Sequence, residues 1–191
     1  MRITNATFVH GKPTEERYNN PELPKPHDSN WFPWIRSKLE AVGIRVSIPA
    51  MPRPYHPDYT AWKEVFEAEV INADSALIGF SAGGDFALHW LSENREVEVE
   101  ELVLVAPYRD EAGKYGDFSK YELDGNLAER VGQLTIISSL DDTEPIQHNA
   151  RRLAAALPLS QLIELNGYGH FMIGNNMTSP EFPELYDILV R

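Results

Sequence analysis

Apolar positions along the chain fall into two alternating patterns. Short apolar runs recur at 6–9, 76–78, 102–105, 134–138 and 161–165, with an alternating run at 44–48, and each stops at a glycine, proline or polar turn. Between them, apolar residues recur at three- and four-residue steps: Trp31, Trp34, Ile35 and Leu39; then Trp62, Val65, Phe66 and Val70; then Phe86, Ala87, Trp90 and Leu91; then Ala150, Leu153 and Leu157; and finally Leu185, Ile188 and Leu189. The first pattern predicts buried strands and the second amphipathic helices. Strands alternating with helices imply a mostly parallel sheet covered on both faces, a three-layer α/β/α sandwich. No internal repeat or second domain is evident, and residues 1–191 are expected to form a single domain.

Element ends add detail. Asp28, Ser29 and Asn30 can cap the helix that begins near Trp31, with Pro33 tolerated in its first turn and Gly43 ending it. The next helix is predicted over 60–70, and the last begins near Ser179 and Pro180. Residues 12–29 carry Pro13, Pro21, Pro24 and Pro26 among polar and charged residues, and read as a long surface loop able to wall a site. His27 within it is expected to be solvated. Residues 95–101 read as an exposed acidic linker. Residues 108–131 have little periodicity and leave room only for a short excursion where a larger cap could sit.

The run Leu77-Ile78-Gly79-Phe80-Ser81-Ala82-Gly83-Gly84 joins a strand to a helix through Gly-x-Ser-x-Gly, the nucleophile-elbow pattern. Such a turn projects Ser81 above the sheet, and glycine fits where neighbouring backbone comes close. The Ala82 N–H then lies at a helix N-terminus, suited to a developing oxyanion. The strand at 6–9 exits at His10-Gly11, so the Lys12 N–H is the candidate second donor, with His10 itself structural. Asp141, Asp142 and His170 also follow strands, and sites form at the carboxyl ends of parallel strands. Their order, Ser, Asp, His, is that of a hydrolase whose histidine takes the serine proton and whose carboxylate orients the imidazole. One of the two aspartates is expected to cap the following helix. Gly167 and Gly169 suggest a pliable loop able to swing His170 toward Ser81. His89 reads as packing, and Glu144 with His148 as a solvated helix start rather than a metal site.

Composition narrows the partners. With 17 basic and 29 acidic residues the net charge is −12, which argues against nucleic acid. The absence of cysteine excludes thiolate chemistry and disulfides. Neither a leader-like apolar segment after Met1-Arg2 nor a run long enough for a membrane span is seen, so a cytoplasmic protein without membrane attachment is expected. No cofactor and no metal is called for, and a small-molecule ester is the expected substrate. Nothing in the sequence identifies a protein partner.

Across nearly its whole length the chain resembles the small α/β-hydrolases related to retinoblastoma-binding protein 9 and the bacterial YdeN-like proteins. The resemblance rests on Val9-His10-Gly11, Trp31-Phe32-Pro33-Trp34, Ile48-Pro49, Met51-Pro52, Trp62, the elbow, Ser139-Leu140-Asp141-Asp142 and Gly169-His170-Phe171. It implies a fold without a large cap, with Ser81 as nucleophile, Asp142 as orienting acid and His170 as base. The pattern Ser-x-Asp-Asp places the acid at Asp142. The family's proline, four residues past its acid, would instead favour Asp141, since Pro145 stands here. Distance from the strand end weighs for Asp142, and Asp141 stays the alternative. The expected activity is hydrolysis of small carboxylic esters through an acyl-enzyme; thioester or amide cleavage would use the same groups. The rival is a weakly active or inactive hydrolase-fold protein that acts by binding a partner, and the complete Ser-Asp-His set favours the enzyme.

Overall fold

The inner strands of the central sheet are apolar runs whose alternate residues feed two separate cores. The computed structural model describes residues 3–191, so Met1 and Arg2, where the leader was judged absent, lie outside the described residues. Six strands, β1 (Asn5–Val9), β2 (Arg45–Ser47), β3 (Ser75–Phe80), β4 (Val99–Val105), β5 (Val131–Ser139) and β6 (Gln161–Leu165), pair in parallel in the order β2-β1-β3-β4-β5-β6. Ala76, Ile78 and Phe80 of β3 face one core, which α2 (Phe32–Ala41) and α6 (Pro183–Val190) cover. Leu77 faces the other, closed by α3 (Tyr59–Phe66), α4 (Ala82–Glu93) and α5 (Glu144–Ala156). The expected three-layer α/β/α sandwich is therefore the observed architecture. Among the described residues no helix is long and apolar enough to cross a membrane.

The strand order reverses between β1 and β3, and the carboxyl ends at such a switch point open a crevice. There the main chain packs against itself. A Cβ on Gly83 would lie 2.1 Å from the Val9 carbonyl oxygen, and one on Gly79 would lie 2.5 Å from the Gly84 Cα. Glycine is demanded at both places by contact alone.

Several boundaries differ from expectation. The loop at 12–29 holds a short helix, α1 (Glu15–Asn19), and a 3₁₀ turn at Pro26–Asp28. That turn takes up Asp28, so α2 starts at Phe32 without a side-chain cap, and Asn30 adopts a φ of 54°. His27 is half-buried, its ring 6.2 Å from that of His10, rather than solvated. Helix α3 stops at Phe66 and leaves Val70 60% exposed. The Val70 carbonyl instead accepts from Asn5 Nδ2 at 2.7 Å, which bends the chain toward β1. Residues 99–101 belong to β4 rather than to an exposed linker, and Glu101 is buried in register with Ala76 and Gln133. The last helix starts three residues later than its proline signal, at Pro183. The excursion at 108–131 is no floppy insert: Phe118 and Leu127 are buried in the second core, and Ser119 and Tyr121 donate to the buried Asp85 carboxylate on α4.

Gly83→Ala drives a methyl group into the Val9 carbonyl. It is expected to cost about 3 kcal/mol, the upper range for overpacking, read as a lower urea midpoint at unchanged slope.

Candidate active site

Ser81 sits where β3 meets α4, with φ 53° and ψ −119°, backbone angles that L-residues rarely adopt. Hydrogen bonds on both sides hold it there. Its N–H donates to the Val105 carbonyl at 2.9 Å, and its carbonyl accepts from Gly84 N at 3.0 Å and Tyr108 N at 3.1 Å. The hydroxyl faces His170 Nε2 at 3.0 Å. On the far side of the ring, His170 Nδ1 lies 2.7 Å from Asp142 Oδ2. The carboxylate accepts only, so Nδ1 carries the proton and Nε2 is the acceptor for the serine hydroxyl. Asp142 is buried and its Oδ1 also accepts from Thr143 N at 2.6 Å. The structure thus brings together Ser81, His170 and Asp142.

Asp141 is turned elsewhere. Its Oδ1 accepts from the N–H groups of Gly167 and Gly169, at 3.1 and 3.2 Å, and from the Ser139 hydroxyl; Oδ2 accepts from Asn176 Nδ2 at 2.8 Å. The Ser139 hydrogen bond, followed by those from Asn176, Gly169 and Gly167, holds this carboxyl at about 2. Neither aspartate caps α5, whose N-cap is Thr143 without a side-chain bond. The loop before His170 is also pinned rather than pliable. Gly169 has φ 51° and a Cβ there would meet the Asn175 carbonyl at 2.1 Å, while Asn175 Oδ1 accepts from His170 N at 3.3 Å. Phe80 flanks the imidazole with ring centroids 5.5 Å apart.

Of the two expected oxyanion donors, Ala82 opens α4, where the first N–H groups have no intrahelical acceptor. Lys12 follows Gly11, and a Cβ on Gly11 would lie 3.0 Å from the Ser81 Cβ. Buried His10 orients this peptide. Its Nε2 accepts from Met51 N at 3.2 Å, so its Nδ1 is the donor to the Gly11 carbonyl at 2.9 Å. Burial lowers its pKa to about 4, which keeps it neutral. In a trans peptide the next N–H points opposite to the carbonyl, so the Lys12 N–H faces away from His10. His89 packs as expected, between the rings of Tyr59 and Tyr121. Glu144 and His148 are exposed.

A narrow cleft of about 40 Å³ opens over Ser81 and His170. Phe32, Phe80 and Met172 give it an apolar floor, while Lys12, Pro13, Arg17 and Asn30 supply a rim from the 12–30 segment. Sequence reasoning placed that segment as a wall but singled out neither Arg17 nor the anchors Asn175 and Asn176. The sequence signal for the latter is the turn-forming run Gly174-Asn175-Asn176, where the structure gives Asn176 a φ of 64°.

A parallel sheet with a serine elbow at its switch point, facing a histidine carried on a later strand exit, defines the α/β-hydrolases. The chain belongs to the serine hydrolase family, whose model matches residues 21–191. It is similar to the YdeN protein of Bacillus subtilis (strain 168), 24% identical over 168 residues that cover 84% of this chain and 87% of that protein. The crystal structure of the ydeN gene product from B. subtilis superposes with a TM-score of 0.78 at 21% identity, covering 98% of this chain and 97% of that one. Est1E from Butyrivibrio proteoclasticus shares the fold at a TM-score of 0.62 and 9% identity, covering 98% and 86%.

The Asp141 clamp has a pH signature. An acid whose folded pKa lies below its ordinary value of about 3.9 contributes stability that is complete above that value and lost as pH falls through about 2. The difference in melting temperature between wild type and Asp141→Asn should therefore be largest above pH 4 and shrink toward pH 2, as thermal scans would record.

Proposed function

We propose that the protein hydrolyses small carboxylic esters through an acyl-enzyme, with Ser81 as nucleophile, His170 as general base and acid, and Asp142 as the orienting acid. The observation that carries the reading is the unbroken hydrogen-bond chain from Ser81 Oγ through His170 to Asp142. In the first half-reaction Ser81 Oγ attacks the ester carbonyl carbon and its proton passes to His170 Nε2. Negative charge gathers on the carbonyl oxygen, beside the N–H groups of Ala82 and Lys12, and Asp142 balances the imidazolium. Collapse expels the alkoxide, which takes the proton from His170. Water then gives a proton to Nε2 as it attacks the acyl carbon, and collapse returns that proton to the departing Ser81 Oγ, releasing the acid and regenerating both residues. No cofactor enters these steps.

Substrate size follows from the cleft. At about 40 Å³ it suits short acyl or alcohol groups, and residues 108–131 pack on α4 rather than forming a helical cap. Esterases occur among the structural relatives: an arylesterase shares the fold at a TM-score of 0.54, and a pyrethroid hydrolase from Sphingobium faniae at 0.58. The reading takes the whole chain as one catalytic domain.

A fluorophosphonate probe should label the wild type and leave Ser81→Ala unlabelled; an unlabelled, folded wild type would overturn the proposal. Against 4-nitrophenyl acetate, Asp142→Asn should lower kcat on the order of 10⁴-fold. Asp141→Asn, which loosens the loop but leaves the imidazole its partner, should cost far less. The reverse ranking would make Asp141 the orienting acid.

A further inference from the structure

Arg17 stands half-buried in the last turn of α1 and lines the cleft over Ser81 and His170. Its neighbour across that rim is Lys12, whose ammonium lies 5.3 Å from the centre of the Tyr115 ring. Among the described residues neither cation pairs with a carboxylate, although the chain carries 29 acidic side chains against 17 basic ones. The acid of the adjoining 25–31 stretch, Asp28, is engaged by Arg36 at 3.7 Å and His27 at 3.4 Å. Both cations also precede the residues that the family model matches. A protein of charge −12 repels anions over most of its surface. Although Glu15 and Glu16 stand on the same helix as Arg17, two unneutralised cations at the mouth of the reaction cleft place positive charge where a substrate must enter. The floor beneath them is apolar, formed by Phe32, Phe80 and Met172.

From this arrangement we propose that the substrate is an anionic ester: a short apolar body with a carboxylate or phosphate that Arg17 binds at the rim, assisted by Lys12. The guanidinium fork can take either group with two parallel hydrogen bonds. Arg17 here is a specificity residue acting on the ground state, so its loss appears mainly in KM. The inference rests on the esterase reading for its substrate, but the binding of an anion at the rim can be read without turnover.

Two pairs of probes test it, one for each side of the ester bond. 4-Nitrophenyl hydrogen succinate is compared with its methyl ester, which places the charge on the acyl side. 3-Acetoxybenzoate is compared with its methyl ester, which places it on the leaving group. The ratio of kcat/KM for the charged over the neutral member should exceed 1 in at least one pair, and that pair identifies the side that faces Arg17. In Arg17→Gln the ratio should fall about tenfold, the size of one charge-assisted hydrogen bond. Arg17→Lys should restore part of it, and 1 M salt should compress it. A ratio at or below 1 in both pairs, or one that Arg17→Gln leaves unmoved, overturns the inference while hydrolysis of the neutral esters keeps the esterase reading. If no ester turns over, the esterase reading falls, and the rim is read by whether succinate or benzoate slows fluorophosphonate labelling of Ser81. Slowing that weakens about tenfold in Arg17→Gln supports the anion site, and no slowing overturns it.

Discussion

The contact of main chain on main chain at the switch point sets the terms for everything above the sheet. Gly83 rests against the Val9 carbonyl and Gly79 against Gly84, at separations no side chain could share. That contact brings the exit of β1 beside the elbow and places Gly11 against the Ser81 Cβ. It also accounts for the backbone angles of Ser81. A residue at φ 53° persists only when its surroundings leave it no alternative, and here β4 and the Tyr108 N–H hold it from the other side. Sheet pairing, elbow strain and the approach of the β1 exit are one constraint seen from three directions.

Two neighbouring carboxylates divide the remaining work. Asp142 is buried against the imidazole, where it fixes a tautomer. Asp141, one residue earlier and on the opposite side of the chain, gathers donors from the loop that carries that imidazole. The first acts on the ring's protons and the second on the ring's position. A third group, the imidazole of His10, adds a similar device at β1: held neutral by burial, it spans the Gly11 carbonyl and the Met51 N–H and thereby turns the following peptide.

Much of this was written in the periodicity. Strands stand out as apolar or alternating runs bounded by turn residues, so all six are legible and the expected bounds of β6 match the structure to the residue. The elbow, the strand-end acids and the histidine were legible because each follows a strand exit. What stayed hidden depends on contacts between distant segments. Glu101 reads as solvent-facing, yet its register in β4 buries it. Val70 continues a helical period, but the Asn5 amide claims its carbonyl. Asp141 and Asp142 adjoin in sequence, where distance from the strand end favours Asp142; the fold of the 166–177 loop shows that Asp142 meets the His170 ring while Asp141 gathers the loop's N–H groups. The glycines around His170 suggested freedom, whereas Gly169 is there because the Asn175 carbonyl leaves no space.

The Gly83–Val9 contact carries a lesson for redesign. Because Ser81 is positioned by peptide units and not by the volumes of core side chains, the rim segment at 13–29 forms an exchangeable frame beside it, whereas 108–130 is tied into the core and to the Ser81 carbonyl. Loops transplanted into that one place would alter which molecules reach the serine without shifting the serine itself, and the chain offers itself as a scaffold on which new preferences can be grafted.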